Sequence, residues 1–105
     1  MLVIPQKGEN LEVNLNDIVF VKSDRNYVDI YVNGRQRPIT YRATLTGFSS
    51  KWLPEDVFIR IHKSHVVNRN HIQKVMDKEL TVTFNEHDKK LVIGNKFADL
   101  LINFS

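Results

Sequence analysis

Apolar residues recur at every second position along much of the chain, which is the pattern of half-buried β-strands. The almost wholly apolar run at residues 18–22 instead predicts a strand buried on both faces. Alternation predicts further strands at residues 28–32, 37–42, 57–62, 80–84 and 90–93. Asn33 and Gly34 accept positive φ and predict a hairpin turn, and residues 85–88 predict a polar turn.

One short segment has helical rather than alternating spacing. Leu45, Phe48 and Trp52 fall at positions i, i+3 and i+7, behind Thr44 as a candidate N-cap. Pro54 follows and lacks the backbone N–H that a helix interior needs. We therefore expect a helix that ends before Pro54.

A second helical pattern closes the chain. Phe97, Leu100, Leu101 and Phe104 share one face behind Asn95, which is a candidate N-cap. No alternation of strands with long helices occurs, so a doubly wound nucleotide fold is not expected. The pattern predicts a mainly β, compact single domain over residues 1–105, with short antiparallel strands, two short helices and polar loops.

Composition supports one globular core and excludes several classes of site. The chain has 105 residues, of which 42% are hydrophobic and 26% are charged, as in an ordinary domain. It has no cysteine, so a disulfide, a thiolate nucleophile and a cysteine-bound metal are excluded. No apolar run approaches the roughly 18 residues of a membrane span, and the N-terminus lacks a signal-peptide pattern. We expect a soluble cytoplasmic domain.

Positive charge is concentrated in two segments. Residues 60–74 contain four basic and no acidic residues, and residues 22–42 contain five basic and two acidic ones. The net charge of the whole chain is only +3. Such asymmetry favours a polyanionic partner, and a solvated face is the alternative that charge alone leaves open.

The more basic segment also carries many hydrogen-bond donors between apolar anchors. Its polar candidates are His62, Lys63, Ser64, Asn68 and Arg69. Arginine and lysine suit phosphate or guanine, whereas asparagine suits adenine. Alternatively, the asparagines form turns through bonds between side chain and backbone.

Two further segments could face a ligand. Arg25, Asn26 and Tyr27 lie between two predicted strands, and the alternative is a simple turn. Asn95 and Lys96 stand at the start of the last predicted helix, where free N–H groups suit a phosphate. A capped helix without a ligand is the alternative there.

Catalysis and metal binding are not expected. His62, His65 and His71 are separated by two and five residues, and no carboxylate lies between residues 60 and 74 to complete a metal site. On one strand, His62 and His65 would point to opposite faces. Ser64 has no nucleophile elbow, and the four glycines form no phosphate loop. We expect no cofactor and no enzyme activity.

One run of residues carries a specific resemblance. Residues 58–68 read F-x-R-x-H-x-S-x-x-V-N, and further matches lie at residues 17–20, 26–28 and 41–45. With order and spacing kept from about residue 11 to residue 101, the chain resembles the LytTR-type DNA-binding domain, the output module of many bacterial response regulators. The resemblance implies a mainly β domain whose loops and strand ends enter successive major grooves of double-stranded DNA.

The resemblance also implies which residues contact DNA. Three regions carry over onto this sequence: Arg25, Asn26 and Tyr27; His62, Lys63 and Ser64 with Asn68 and Arg69; and Asn95 and Lys96. Lys63, Asn26 and Asn95 would lie nearest to base edges. Arg42, Arg60 and Arg69 would neutralise phosphates, while Phe20, Phe58, Ile61 and Val67 would hold the loops by packing. Arg60 has a structural alternative, as the partner of a carboxylate such as Asp17.

The chain departs from the family at the start of the last helix. The family usually has Ser-Arg or a similar basic pair there, and this chain has Gly94, Asn95 and Lys96. Lysine supplies phosphate affinity but not a bidentate contact to guanine. The base preference in that part of the DNA site is therefore expected to differ.

Partners beyond DNA follow from the resemblance alone. It implies two copies of the domain on direct-repeat DNA, with a homodimer on DNA as one form. Because no receiver segment precedes the match, we expect either an output domain excised from a longer regulator or a stand-alone regulator.

Two alternative functions stay open. One is a protein-interaction module anchored by Tyr27, Tyr31 and Trp52, and the other is a binder of single strands or RNA, if Tyr27, Tyr31 and Tyr41 share a face.

Overall fold

The chain forms antiparallel sheets and one α-helix in the computed structural model, which describes residues 1–97. The strands are β1 (Leu2–Gln6), β2 (Glu9–Val13), β3 (Ile18–Asp24), β4 (Tyr27–Val32), β5 (Ile39–Arg42), β6 (Phe58–His62), β7 (His65–Asn68), β8 (Ile72–Met76), β9 (Glu79–Phe84) and β10 (His87–Val92), and the helix is α1 (Leu45–Trp52). This agrees with the predicted mainly β fold. Within residues 1–97, no helix is long and apolar enough to cross a membrane.

A five-stranded sheet lies at the centre, in the order β5-β4-β3-β7-β6. Helix α1 and the β1–β2 hairpin cover one face, and the three-stranded sheet β10-β9-β8 covers the other. Strand β3 is apolar at consecutive positions because both of its faces are covered: Ile18 and Val21 join one core, and Val19 and Phe20 join the other. The prediction of a strand buried on both faces is confirmed.

The half-buried alternation holds along β4, whereas β6 is covered on both faces. In β4, Val28, Ile30 and Val32 belong to the core beneath α1. In β6, Ile61 lies in the core shared with the second sheet, while Phe58 on the alternate face lies beneath α1. The residues predicted to hold the loops by packing are therefore buried.

Helix α1 begins and ends as its sequence predicts. The side chain of Thr44 accepts a hydrogen bond of 3.0 Å from the backbone N–H of Gly47, which is N-cap geometry. Leu45 and Phe48 are buried, and the helix ends at Trp52 before Pro54. The predicted second helix is only partly testable, because Leu100, Leu101 and Phe104 lie outside the described residues.

Several boundaries differ from the predicted ones. Strand β5 begins at Ile39 rather than at residue 37, since Pro38 has no N–H for the ladder. The predicted polar turn at 85–88 is shorter, with Asn85 and Glu86 at positive φ and β10 beginning at His87. The β1–β2 hairpin was not predicted, and neither was β7 or β8.

The two larger sheets are joined at one end by their turns. The side chain of Asn33 accepts a 2.9 Å hydrogen bond from the N–H of Asn85. The side chain of Asn85 accepts one of 2.7 Å from the N–H of Gly34 and donates one of 2.9 Å to the carbonyl of Arg35. We call this the turn end of the central sheet.

Candidate nucleic-acid interface

Three chain segments meet at the opposite end of the central sheet. They are the β3–β4 turn at residues 25–26, the β6–β7 turn at residues 63–64, and residues 94–97 after β10. The N–H of Ser23 donates to the carbonyl of Ser64 at 2.9 Å, and the N–H of Gly94 donates to the carbonyl of Ile61 at 2.7 Å. Backbone hydrogen bonds thus tie the second segment to β3 and the third to β6. We call this end the loop end.

The first segment presents its polar side chains to solvent. Arg25 has φ 58°, which turns the chain between β3 and β4, and both Arg25 and Asn26 are exposed. Tyr27 is 44% exposed and lies opposite Arg42 on β5. The N–H of Ala43 donates to the carbonyl of Asn26 at 3.1 Å, so the start of helix α1 is fixed beside this turn.

Arg60 holds the second segment in place. Its Nε donates to the carbonyl of His62 at 2.8 Å, Nη2 donates to the carbonyl of Lys63, and Nη1 donates to the hydroxyl of Thr46 at 3.2 Å. Burial lowers the pKa of Arg60 from its usual value. The sequence alternative of a carboxylate partner such as Asp17 is wrong, because the guanidinium is bound to loop carbonyls and to α1.

His62 is fixed by the same turn. Its Nδ1 accepts a 3.0 Å hydrogen bond from the backbone N–H of Ser64, so the ring proton of the neutral form lies on Nε2. Lys63, between them, is exposed. Lys63 is therefore exposed on a turn whose backbone is held by hydrogen bonds to the side chains of Arg60 and His62.

An open groove joins the second segment to the third. It is lined by Arg60, His62, Lys63, Gly94, Asn95, Lys96 and Phe97. Asn95 and Lys96 are exposed, and the N–H of Phe97 donates to the carbonyl of Gly94 at 2.9 Å. A Cβ at position 94 would lie 3.2 Å from the Phe97 ring and 3.5 Å from the Cα of His62, so the lack of a side chain lets the two segments approach.

Asn68 and Arg69 do not lie at the loop end. His65 pairs with Lys22 at the start of β7, whereas Asn68 pairs with Phe58 at its end, about 10 Å away for three residues of strand. Asn68 is fully buried: its amide donates to the carbonyl of Ile18 at 3.0 Å, and its oxygen accepts from the N–H of Asn70 at 2.9 Å. The alternative stated for the asparagines, a turn formed through bonds between side chain and backbone, therefore describes Asn68.

Arg69 is likewise engaged away from the loop end. Its Nη1 donates to the carbonyl of Asp56 at 2.9 Å, and its N–H donates to the carbonyl of Val57 at 2.8 Å. Of the twelve candidate residues, the structure thus brings ten together at the loop end. These are Arg25, Asn26, Tyr27, Arg42, Arg60, His62, Lys63, Ser64, Asn95 and Lys96.

His62 and His65 do not share a strand as the sequence argument assumed. They pair across the β6–β7 turn with ring centroids 5.2 Å apart. Burial, together with the smaller effects of the charges of His62, Lys22 and Lys89, lowers the pKa of His65 to about 4. Among residues 1–97, no group of three His, Cys, Asp or Glu side chains could hold a metal ion.

Three residues near the loop end were missed from the sequence. Thr46 fixes Arg60, and Lys22 and Lys89 lie close enough to His65 to lower its pKa. The pairing of Lys22 with His65 depends on strand order, and the approach of Lys89 depends on the packing of two sheets. No local pattern carries that information.

Comparison with known proteins identifies the fold and the family. The structure superposes on a solved chain described as the LytTr DNA-binding domain of a methyl-accepting/DNA response regulator from Bacillus cereus. The TM-score is 0.74 at 17% sequence identity, covering 97% of this chain and 93% of the other, so this likeness concerns the fold. No curated protein sequence matches the chain. The family model of the LytTr DNA-binding domain matches residues 8–104, and the chain therefore belongs to this family of DNA-binding domains.

Proposed function

We propose that the chain binds double-stranded DNA sequence-specifically through its loop end and thereby regulates transcription. The observation that carries this proposal is the backbone hydrogen bonding that fixes three donor-rich segments at one end of a rigid sheet. Segments held by strands are placed more precisely than free loops, which suits the reading of base edges. In this proposal the segments and strand ends enter successive major grooves.

The side chains divide into three roles. Lys63, Asn26 and Asn95 are exposed and carry the donors and acceptors that base edges require. Arg25, Arg42 and Lys96 are exposed cations suited to phosphates. Arg60, His62 and Ser64 shape the second segment, so their contribution is chiefly to position Lys63.

Asn68 and Arg69 have no direct role in this proposal. Asn68 is buried and its amide is already bound, and Arg69 lies at the far end of β7. Phosphate neutralisation by Arg69 would require DNA to extend along the whole sheet. The proposed interface is therefore smaller than the sequence alone suggested.

The two alternative functions, a protein-interaction module and a binder of single strands or RNA, have less support. Tyr41 pairs with Val28 and packs in the core beneath α1, whereas Tyr27 and Tyr31 are on the opposite face of β4. The three tyrosines thus form no common stacking platform for single strands. Tyr31 stacks on Phe20 with centroids 4.2 Å apart, which leaves little of it as an anchor for a protein partner.

The wider context is also part of the proposal. We propose that two copies bind direct repeats and that the domain acts as the output of a response regulator or as a stand-alone regulator. Such a regulator acts in the cytoplasm of a bacterial cell, where the chromosome is accessible.

Fluorescence anisotropy across a salt series tests the proposal. The purified domain is titrated into a labelled random-pool duplex, and the bound pool is selected and sequenced. We expect log affinity to fall linearly with log salt, and selection to converge on one site. An unlabelled single strand should compete poorly. No binding even at low salt, or equal competition by single strands, would refute the proposal.

A further inference from the structure

Lys89 occupies an unusual position in the second sheet. It lies on β10 opposite Val82, which is buried in the core between the two sheets. Residues directly opposite one another in an antiparallel pair have side chains on the same face. The Lys89 side chain therefore starts on the face that packs against the central sheet, although Lys89 itself is exposed.

The neighbouring strand residue has the opposite orientation. Lys90 lies opposite Thr81, and its Nζ is 3.7 Å from a carboxylate oxygen of Glu79 on the outer face. Two adjacent lysines of one strand thus differ in face and in partner. Within residues 1–97, no carboxylate lies within ion-pair distance of Lys89.

Basic side chains connect Lys89 to the loop end. Lys22 and His65 lie on the same face of β3 and β7 as Phe20 and Val67, which pack against the second sheet. Lys89 starts from the opposing face and acts electrostatically on His65, as do Lys22 and His62. Lys22 pairs directly with His65, and the rings of His65 and His62 are 5.2 Å apart. His62 then lines the groove that contains Lys63 and Lys96. Lysine and histidine side chains, with the neutral ring of His65 among them, therefore run from the edge of the second sheet to the proposed interface.

Acidic groups near this series do not face Lys89 directly. Asp29 lies opposite Lys22 in the β3–β4 ladder and accepts a hydrogen bond of 3.0 Å from the hydroxyl of Thr40. Asp24 lies further along β3, opposite Tyr27. Lys22 thus has a carboxylate as its direct cross-strand neighbour, whereas Lys89 lies opposite the apolar Val82.

We propose that Lys89 contacts a DNA phosphate and extends the binding surface from the three loops onto the second sheet. This inference rests on the proposed function. A cation held beside other cations, without a carboxylate partner, is stabilised when a polyanion approaches. A phosphate contact by lysine carries no base information, so Lys89 would add affinity equally on all sequences.

Lys89→Gln and Lys90→Gln form a matched pair for the test. Both variants remove one charge from the same exposed strand, so they change the net charge identically. Affinity is measured by anisotropy over a salt series on the selected duplex and on a scrambled duplex of equal length. Thermal unfolding confirms that each variant is folded.

For Lys89→Gln we expect the slope of log affinity against log salt to fall by about 0.9, equally on both duplexes. For Lys90→Gln we expect no change in slope. Equal slopes for both variants, whether reduced or unchanged, would overturn the inference while leaving the proposed function intact. A wild-type domain that binds neither duplex would overturn both.

Discussion

The N–H of Ser23 donates to the carbonyl of Ser64 at 2.9 Å, so the β3–β4 turn and the β6–β7 turn are held side by side. The backbones that carry Arg25 and Lys63, the exposed cations of the two turns, are thereby held next to each other. Because the bond joins backbone groups, it is insensitive to the side chains that the turns carry. The turns can therefore change their surface residues while keeping their spacing.

Replacing Lys63 with alanine should weaken binding to the selected duplex by about 1–3 kcal/mol if its ammonium group contacts a base. Binding to a scrambled duplex should then change much less. Measuring both affinities therefore distinguishes a base contact from a phosphate contact. Lys51→Ala is the control, because Lys51 is exposed in the last turn of α1. Equal losses on both duplexes would assign Lys63 to a phosphate instead.

Replacing Arg60 with lysine should loosen the β6–β7 turn although the charge is kept. Lysine cannot reach two carbonyls and the Thr46 hydroxyl with fixed geometry, so we expect a loss of about 1–2 kcal/mol in the free energy of unfolding. Hydrogen exchange at the Ser64 amide should accelerate, and affinity for the selected duplex should fall. Thr46→Ala removes only one of the bonds and should have a smaller effect. An unchanged rate of hydrogen exchange at the Ser64 amide would show that Arg60 does not hold the turn in place.

Replacing Asn68 with alanine should destabilise the fold by about 2–3 kcal/mol, because the carbonyl of Ile18 and the N–H of Asn70 would lose their buried partner. Urea unfolding measures this loss. Asn70→Ala is the matched control, since the Asn70 side chain is exposed and only its backbone takes part. Folded Asn68→Ala protein should bind DNA normally. A selective loss of DNA binding at full stability would return Asn68 to the interface.

His65 should make stability depend on pH. Burial and the nearby positive charges lower its pKa from 6.5 to about 4, so the unfolded chain takes up the proton first as the pH falls. The contribution of His65 is complete above about pH 6.5 and is lost progressively towards pH 4. Allowing for solvent screening of a half-buried ring, we expect a loss of about 1–2 kcal/mol. His65→Gln should flatten the profile measured by urea unfolding, whereas exposed His87→Gln should not.

Replacing Asn95 with arginine should change the selected DNA sequence at one position. Arginine binds guanine through two hydrogen bonds, which asparagine cannot reproduce. We expect selection with this variant to enrich guanine at the base that faces residue 95, with the rest of the site unchanged. Asn95→Lys adds the same charge without the bidentate geometry. Identical selected sites for both variants would show that only charge matters there.

Local pattern was sufficient for much of this fold. Residues close together in sequence determine the burial of β3 on both faces, the alternation of β4 and the Thr44 cap. The β1–β2 hairpin was missed because β2 has only Leu11 and Val13 turned inward, and its turn depends on Gly8 at φ 87°. Strand β7 is only four residues long and takes its register from β3 and β6.

Residue type could be read from the sequence for the candidate site, whereas burial and hydrogen-bond partners could not. Sequence distinguishes a basic loop from an acidic one, but not an exposed asparagine from a buried one. Asn68 has the same chemistry as Asn26 and the opposite environment. Arg60 was predicted to neutralise a phosphate, with a carboxylate partner as the alternative, and its carbonyl partners become visible only when the turn after it closes.

The interlocked asparagines of the turn end have a practical consequence. Asn33 and Asn85 fix that end through hydrogen bonds across the two sheets, and the neighbouring Gln36 is exposed in the loop between β4 and β5. Because the chain has no cysteine, a Gln36→Cys variant would offer one thiol for a fluorophore or surface tether. A dye or chip attached there would leave the proposed contacts of the loop end facing away from the support, with the duplex free to approach.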